Sequence, residues 1–288
     1  MFKHHKKPMK RRQILTGLGV TLGGLIGHSL SVERAIAGTS SNVQKSQKLQ
    51  WGYIGENDPN HWNEVSERYQ VCQFGQRQSP INVELLENET LKVSDKRKIG
   101  LFEGFPEQIY FRYGPVNLEA FDAGYTLQAN VGAGLFLELG SDRYELKQFH
   151  FHTPSEHQIN GNTSAMEMHL VHQNQGGDFA VVALMIEENK NRQGQGMSDF
   201  EKDLEPLWNF LDGDFDDDVN IKLIPSVHLA KILPRDRHFF RYSGSLTTPP
   251  CSETVEWIIF RKPLTLSTEN LGRYKAHFPR NARPIQRL

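Results

Sequence analysis

The stretch Gln148-Phe149-His150-Phe151-His152 decides the reading of this chain. Polar and aromatic residues alternate with a period of two, the side-chain period of an extended strand. On a strand, Gln148, His150 and His152 share one face while Phe149 and Phe151 point to the other, so two imidazoles are aimed at one place and the phenylalanines at a core. A second run, Glu167-Met168-His169-Leu170-Val171-His172, puts Glu167, His169 and Val171 on one face and offers a third imidazole. Adjacent imidazoles in an interior need solvent, an acid or a metal. Three neutral imidazoles leave a zinc ion its full dipositive charge and one open tetrahedral position, the arrangement of a catalytic rather than a structural site. His61 and His172 are read instead as hydrogen-bonded packing residues.

Working outward, alternation or β-branched and aromatic content predicts strands at 108–113, 116–121, 125–130, 135–139, 144–152, 166–172, 179–186 and 255–260, with Gly, Asp and Asn between them. Ser198 and Glu201 form a capping box ahead of Leu204, Leu207, Trp208 and Leu211 at helical spacing, which predicts one helix ending before Gly213; another is predicted over about 267–278. Neither an internal repeat nor a second linker interrupts residues 51–288. The predicted fold class is mainly β, a single domain with a few short peripheral helices. The Asp-rich segment 212–218 is read as a solvated acidic turn, because a calcium loop starting at Asp212 would need Gly at Asp217 and Glu at Leu223.

A hydrophobic fraction of 38% suits a packed enzyme-sized core. The net charge of -1 hides a basic start: residues 1–37 hold seven Lys and Arg and one acid, which leaves the remainder, with 26 basic and 33 acidic residues, at -7. That acidic body argues against nucleic acid or an anionic membrane as partner and favours small solutes. Arg11-Arg12-Gln13-Ile14-Leu15 precedes a weakly apolar, glycine-rich run and then Ala35-Ile36-Ala37, a small-x-small cleavage pattern. Residues 1–37 are therefore predicted to be a signal peptide of twin-arginine type and 38–50 a flexible linker, giving an exported protein, periplasmic or extracellular, with no membrane span in the mature chain. An uncleaved anchor is the alternative, weakened by the glycines in the run. Cys72 and Cys251 both lie in the exported body, where an oxidising compartment favours joining them; two buried thiols are the other reading.

Seven ordered segments then carry a family likeness: Trp51-Gly52-Tyr53, Arg77-Gln78-Ser79-Pro80-Ile81-Asn82, Gln148 to His152, Ser155-Glu156-His157, Glu167 to His172, Gly244-Ser245-Leu246-Thr247-Thr248-Pro249-Pro250, and Asn281-Ala282-Arg283-Pro284. Over residues 51–288 the chain resembles the α-class carbonic anhydrases. The resemblance implies a large twisted, mostly antiparallel central sheet, one Zn2+ per chain on His150, His152 and His169, and reversible hydration of carbon dioxide to bicarbonate and a proton through a zinc-bound hydroxide. It implies that Thr247 accepts a hydrogen bond from that hydroxide and donates to Glu156, and that Gln148 and Glu167 hold the rings of His150 and His169. Val171, Val181, Leu246 and Trp257 match the apolar wall for carbon dioxide, Thr248 matches a residue near bicarbonate, and Cys72 and Cys251 match a disulfide of secreted relatives. One departure stands out, since Tyr125 occupies the place where the fastest relatives carry a proton-shuttling histidine.

Two other classes compete. His150-x-His152 with Glu156 four residues on and Gly161 beyond is similar to the first metal motif of the cupins, where the glutamate is itself a ligand. That reading needs a second motif with Pro, Gly and His, which is absent, and leaves the Thr247 segment without a role. The second is an inactive relative kept as a binding module; such proteins lose a ligand histidine, whereas all three are present here with Glu156 and Thr247.

Overall fold

The structure, a computed structural model, describes residues 51–85, 102–105, 108–190, 197–213 and 221–287. The leader at 1–37, the linker at 38–50 and most of the acidic turn at 212–218 lie outside the described residues. In chain order the strands are β1 (Asn82–Val83), β2 (Phe102–Gly104), β3 (Ile109–Arg112), β4 (Pro115–Asp122), β5 (Leu127–Val131), β6 (Phe136–Leu139), β7 (Asp142–His152), β8 (Gln158–Ile159), β9 (Met166–Gln173), β10 (Phe179–Asn189), β11 (Lys222–His228), β12 (Phe239–Gly244), β13 (Val255–Phe260) and β14 (Leu264–Ser267). Twelve of them form one sheet, with the path β11-β4-β5-β7-β9-β10-β13-β12-β2, β14 added at β10, and β6 joining β3 to β7. Within it β10 runs parallel to β13 and β14 and the other pairs are antiparallel, so the sheet is mixed with an antiparallel majority. β1 and β8 make a small parallel pair.

Among the described residues, five short α-helices lie around it: α1 (Trp62–Val65), α2 (Val71–Phe74), α3 (Asp199–Asp203), α4 (Glu205–Phe210) and α5 (Thr268–His277). The one helix predicted from Ser198 onward is two. Ser198 caps α3 as expected, accepting from the Glu201 N–H at 3.1 Å. Leu204 then leaves helical geometry, and Pro206, which has no N–H to continue the ladder, sits in the first turn of α4. Helix α5 starts on Ser267, which accepts from the Asn270 N–H.

Strand alternation separates two faces. Phe149, Phe151, Met168 and Leu170 are fully buried on one, under Phe200, Leu204, Leu207 and Trp208, with the Phe151 and Trp208 rings 5.3 Å apart. Each such side chain contributes roughly 1.5–3 kcal/mol by leaving water. The histidines face the other side. Register aligns Gln128, His150, His169 and Ala183 in one row across β5, β7, β9 and β10, and Asn130, Gln148, Val171, Val181, Trp257 and Tyr242 in the next. A bulge in β7 between Leu146 and Gln148 changes the phase of that strand. Leu146 lies opposite the core residue His172, but Gln148 lies opposite Val171 on the site face.

Two readings need correction. Tyr125 lies before β5, not in it, because the Ala123 N–H donates to the Thr126 carbonyl and Gly124 takes a φ of 88°, which closes a turn. His61 is exposed and paired with Asp58 at 2.9 Å, whereas His172 is buried as expected, between the Ala180 carbonyl and the Tyr113 hydroxyl. Cys72 and Cys251 are joined by a disulfide that closes a separation of 179 residues.

Candidate metal centre

His150, His152 and His169 each present one ring nitrogen, and these atoms lie within 4.8 Å of one another. The remaining nitrogen of each ring is taken. His150 Nδ1–H donates to Gln148 Oε1 (2.8 Å), His152 Nδ1–H to the Asn281 carbonyl (2.7 Å) and His169 Nε2–H to Glu167 Oε1 (2.8 Å). Each hydrogen bond fixes a tautomer, so the lone pairs left over are on His150 Nε2, His152 Nε2 and His169 Nδ1. His152 Nε2 is buried with no hydrogen-bond partner among the described residues, a costly condition that an electrophile at the centre of the triad would relieve. Burial, followed by mutual repulsion with the neighbouring imidazoles, holds His150 well below the usual histidine range; burial takes His152 down to about 4 and lowers His169. Neutral imidazoles are the form a metal needs. The donor set therefore fits zinc.

A second group of metal-capable residues shares His169 with the first: His157, Glu167 and His169. Here both oxygens of Glu167 and both nitrogens of His157 are taken. Glu167 Oε2 accepts from the Glu156 and His157 N–H groups, both at 2.8 Å, and Oε1 takes His157 Nδ1 and His169 Nε2. His157 Nε2 meets the Tyr242 hydroxyl at 2.7 Å. Burial would raise the Glu167 carboxyl, but His157 and His169 together hold it well below the usual carboxylate range. This cluster is a hydrogen-bonded support for the first.

Glu156 belongs to neither group. Its Oε1 accepts from the Arg283 N–H at 2.9 Å, and its Oε2 is buried with no hydrogen-bond partner among the described residues. Burial pushes its carboxyl up to about 7, with His169, Arg283 and Thr247 pulling down and Glu167 pushing up. The segment bearing Thr247 is pinned at both ends, by Leu246 N–H to the Ser252 carbonyl (3.0 Å) and Cys251 N–H to the Thr248 carbonyl (2.9 Å).

The rows of the sheet sort the walls. Val171, Val181 and Trp257 are buried side by side on β9, β10 and β13, and the Trp257 ring stands 4.8 Å from that of His169. Gln128 and Asn130 face them from β5, the Gln128 amide donating to Asn130 Oδ1 at 3.0 Å. Leu246 is half-buried beside Thr247. Tyr125 packs its ring on Trp51 (5.0 Å) and Tyr53 (6.2 Å), and burial, then the charge of Glu156, pushes its hydroxyl up to about 12.

Asn281 is a functional residue whose role the sequence reading missed. Its carbonyl holds His152, while its side-chain amide donates to the carbonyls of Tyr125 (2.9 Å) and Phe151 (2.8 Å) and accepts from the Thr153 N–H (2.7 Å). A backbone acceptor has no residue-type signature; only its place in a matched motif pointed to it.

The chain matches the family model described as eukaryotic-type carbonic anhydrase over residues 57–287. It is 33% identical over 278 residues to a carbonic anhydrase of Nostoc sp., covering 96% of this chain and 94% of that relative. To one of Klebsiella pneumoniae it is 37% identical over 241 residues, covering 83% and 87%. Among solved structures, the α-carbonic anhydrase of Thermovibrio ammonificans in complex with the inhibitor sulfanilamide superposes with a TM-score of 0.68 at 31% identity, over 83% of this chain and 95% of that one.

Proposed function

Because the chain belongs to the eukaryotic-type carbonic anhydrase family, and is thus an enzyme of the reversible hydration of carbon dioxide to bicarbonate and a proton, we propose that it works with one zinc ion per chain on His150 Nε2, His152 Nε2 and His169 Nδ1. The observation that carries this reading is the triad of unspent lone pairs, each fixed by a hydrogen bond on the opposite ring nitrogen. When bound, zinc supplies the Lewis acidity that brings the pKa of a water to about 7, carbonic anhydrase itself being the standard measured case.

The protein's own groups then set direction. With its proton given to the Glu156 carboxylate, Thr247 can only accept from the attacking oxygen, and a lone pair of the latter is turned to the substrate carbon. Glu156 is an orienter, anchored by the Arg283 N–H. Val171, Val181, Leu246 and Trp257 give carbon dioxide an apolar resting wall, and Thr248 lies beside the position of the product bicarbonate. Gln148 and Glu167 hold the ligand rings.

Proton release limits the rate. A group of pKa near 7 handing its proton directly to water is confined to roughly 10³ per second, for a recombination limit near 10¹⁰ M⁻¹s⁻¹. Tyr125, held at about 12, is a poor relay at neutral pH, so turnover depends on small buffers and stays below that of the fastest relatives. The twin-arginine leader and the Cys72–Cys251 disulfide support export to the periplasm or beyond, and no helix of the described residues is long and apolar enough to cross a membrane. Metal content together with stopped-flow hydration of carbon dioxide tests the whole reading: one zinc per chain and activity that His150→Ala abolishes are expected, and an active protein free of metal would sink it.

A further inference from the structure

Two of the sequence motifs, Arg77-Gln78-Ser79-Pro80-Ile81-Asn82 and Gly244-Ser245, present no group to the metal-facing nitrogens, yet their residues meet in a buried knot behind the site. Ser79 is fully buried and all its polar groups are engaged. Its N–H donates to Ser245 Oγ (2.9 Å), its carbonyl accepts from Arg283 Nη1 (2.7 Å), and its hydroxyl oxygen accepts from the Ser245 N–H (3.0 Å) and from the Tyr242 hydroxyl (2.8 Å).

Three routes leave this serine, and each ends on the reaction machinery. Through Tyr242 and His157 the chain of hydrogen bonds reaches Glu167 Oε1, which also holds the ligand His169. Through Ser245, whose carbonyl accepts from Trp257 Nε1 at 2.9 Å, it fixes the segment that carries Thr247 two residues on. Through Arg283, whose own N–H donates to Glu156 Oε1, it fixes the orienting carboxylate. Gly244 makes the approach possible: a Cβ there would sit 2.3 Å from Ser79 Oγ and 2.7 Å from the Tyr242 ring. The serine hydroxyl has a direct part: as the acceptor of the Tyr242 hydroxyl proton it fixes the rotor of the tyrosine that meets His157 Nε2.

We propose that Ser79 is a positioning residue for carbon dioxide hydration, its hydroxyl orienting His169 through Tyr242, His157 and Glu167 while its backbone and hydroxyl oxygen hold the Thr247 segment and Glu156 in register with the metal. This rests on the reading of His150, His152 and His169 as the metal centre. Partners of this kind typically change metal affinity or activity by about 10- to 100-fold when removed.

The test compares wild type, Ser79→Ala, Tyr242→Phe and Leu204→Ala, the last being a buried core residue under the opposite face of the sheet that lowers Tm without touching the knot. Zinc-loaded Ser79→Ala is expected to release zinc to a chelator roughly tenfold faster and to lose roughly tenfold in kcat with KM little changed. Tyr242→Phe, which cuts only the branch to His169, should speed zinc release similarly with a smaller loss of kcat, and carries the test if Ser79→Ala does not fold. Imidazole ¹⁵N NMR of the metal-free proteins should show His157 and His169 resonances displaced in both variants and unmoved in Leu204→Ala. Unmoved resonances, or loss of zinc and kcat in Leu204→Ala equal to that in Ser79→Ala, would overturn the proposal. Failure of the wild type to bind zinc would sink the metal reading alone, since the NMR comparison still decides the role of Ser79.

Discussion

Two clusters of metal-capable side chains meet at His169, and they are almost indistinguishable in composition and burial. In the first, of His150, His152 and His169, each ring spends one nitrogen on the protein and keeps the other. In the second, of His157, Glu167 and His169, both carboxylate oxygens carry two hydrogen bonds each and both nitrogens of His157 are occupied. The difference teaches that the hydrogen-bond inventory, more than the presence of histidines, tells a metal centre from its scaffold. A lone pair left over in a dry interior is unstable on its own; one already satisfied gains little from an ion.

The sharpest way to break this comparison is to remove one member of each cluster. His152→Ala should empty the first, with loss of bound zinc and a fall in kcat/KM on the order of 10⁴-fold, several kcal/mol of charge stabilisation being lost with the ion. His157→Gln should leave zinc at one per chain by elemental analysis while weakening its affinity about 10- to 100-fold. If instead His157→Gln abolished the stoichiometry and His152→Ala did not, the two clusters would have to exchange roles. Between them stands Glu156→Gln, for which zinc content should be unchanged and kcat reduced roughly 10²-fold, measured by stopped flow, because an amide can donate to Thr247 and reverse its hydrogen bond.

Smaller effects probe the surroundings. Tyr125→His should raise turnover in dilute buffer roughly tenfold and remove most of the response to added imidazole. In the wild type that response should persist from pH 7 to 10, since a hydroxyl raised to about 12 stays protonated across that window. Replacing Cys72 and Cys251 by Ser should lower Tm on the order of 10 °C, from the about 5 kcal/mol that closing a separation of 179 residues contributes in the chain-entropy account, with zinc stoichiometry retained.

Much of the site was legible because alternation is a local property. Gln148, His150 and His152 lie on one face by counting alone, and Glu167 and His169 by the same count one strand on. What counting could not supply was register. That His150 faces His169, and His152 faces Glu167, depends on how β7 and β9 slide against each other. Strand β11 escaped notice because Pro225 and the positive φ of Ser226 interrupt it. Strands β2 and β14 are short, and with β12 they draw their pairing energy from neighbours distant in sequence. Asn281 and Ser79 act largely through backbone groups or a buried hydroxyl, which leave no pattern in a single sequence.

The bulge in β7 behaves as a dislocation in an otherwise periodic object. Before it, even-numbered residues such as Tyr144 and Leu146 are buried; after it, even-numbered residues are Gln148, His150 and His152, on the site face. One surplus residue, Lys147, thus inverts the parity of the strand. A chain shortened by that single lysine would keep every ligand in its sequence yet be forced either to turn its imidazoles into the phenylalanine core or to turn Tyr144 and Leu146 out of it. The metal centre is written in a reading frame as much as in residues, and that frame begins at Lys147.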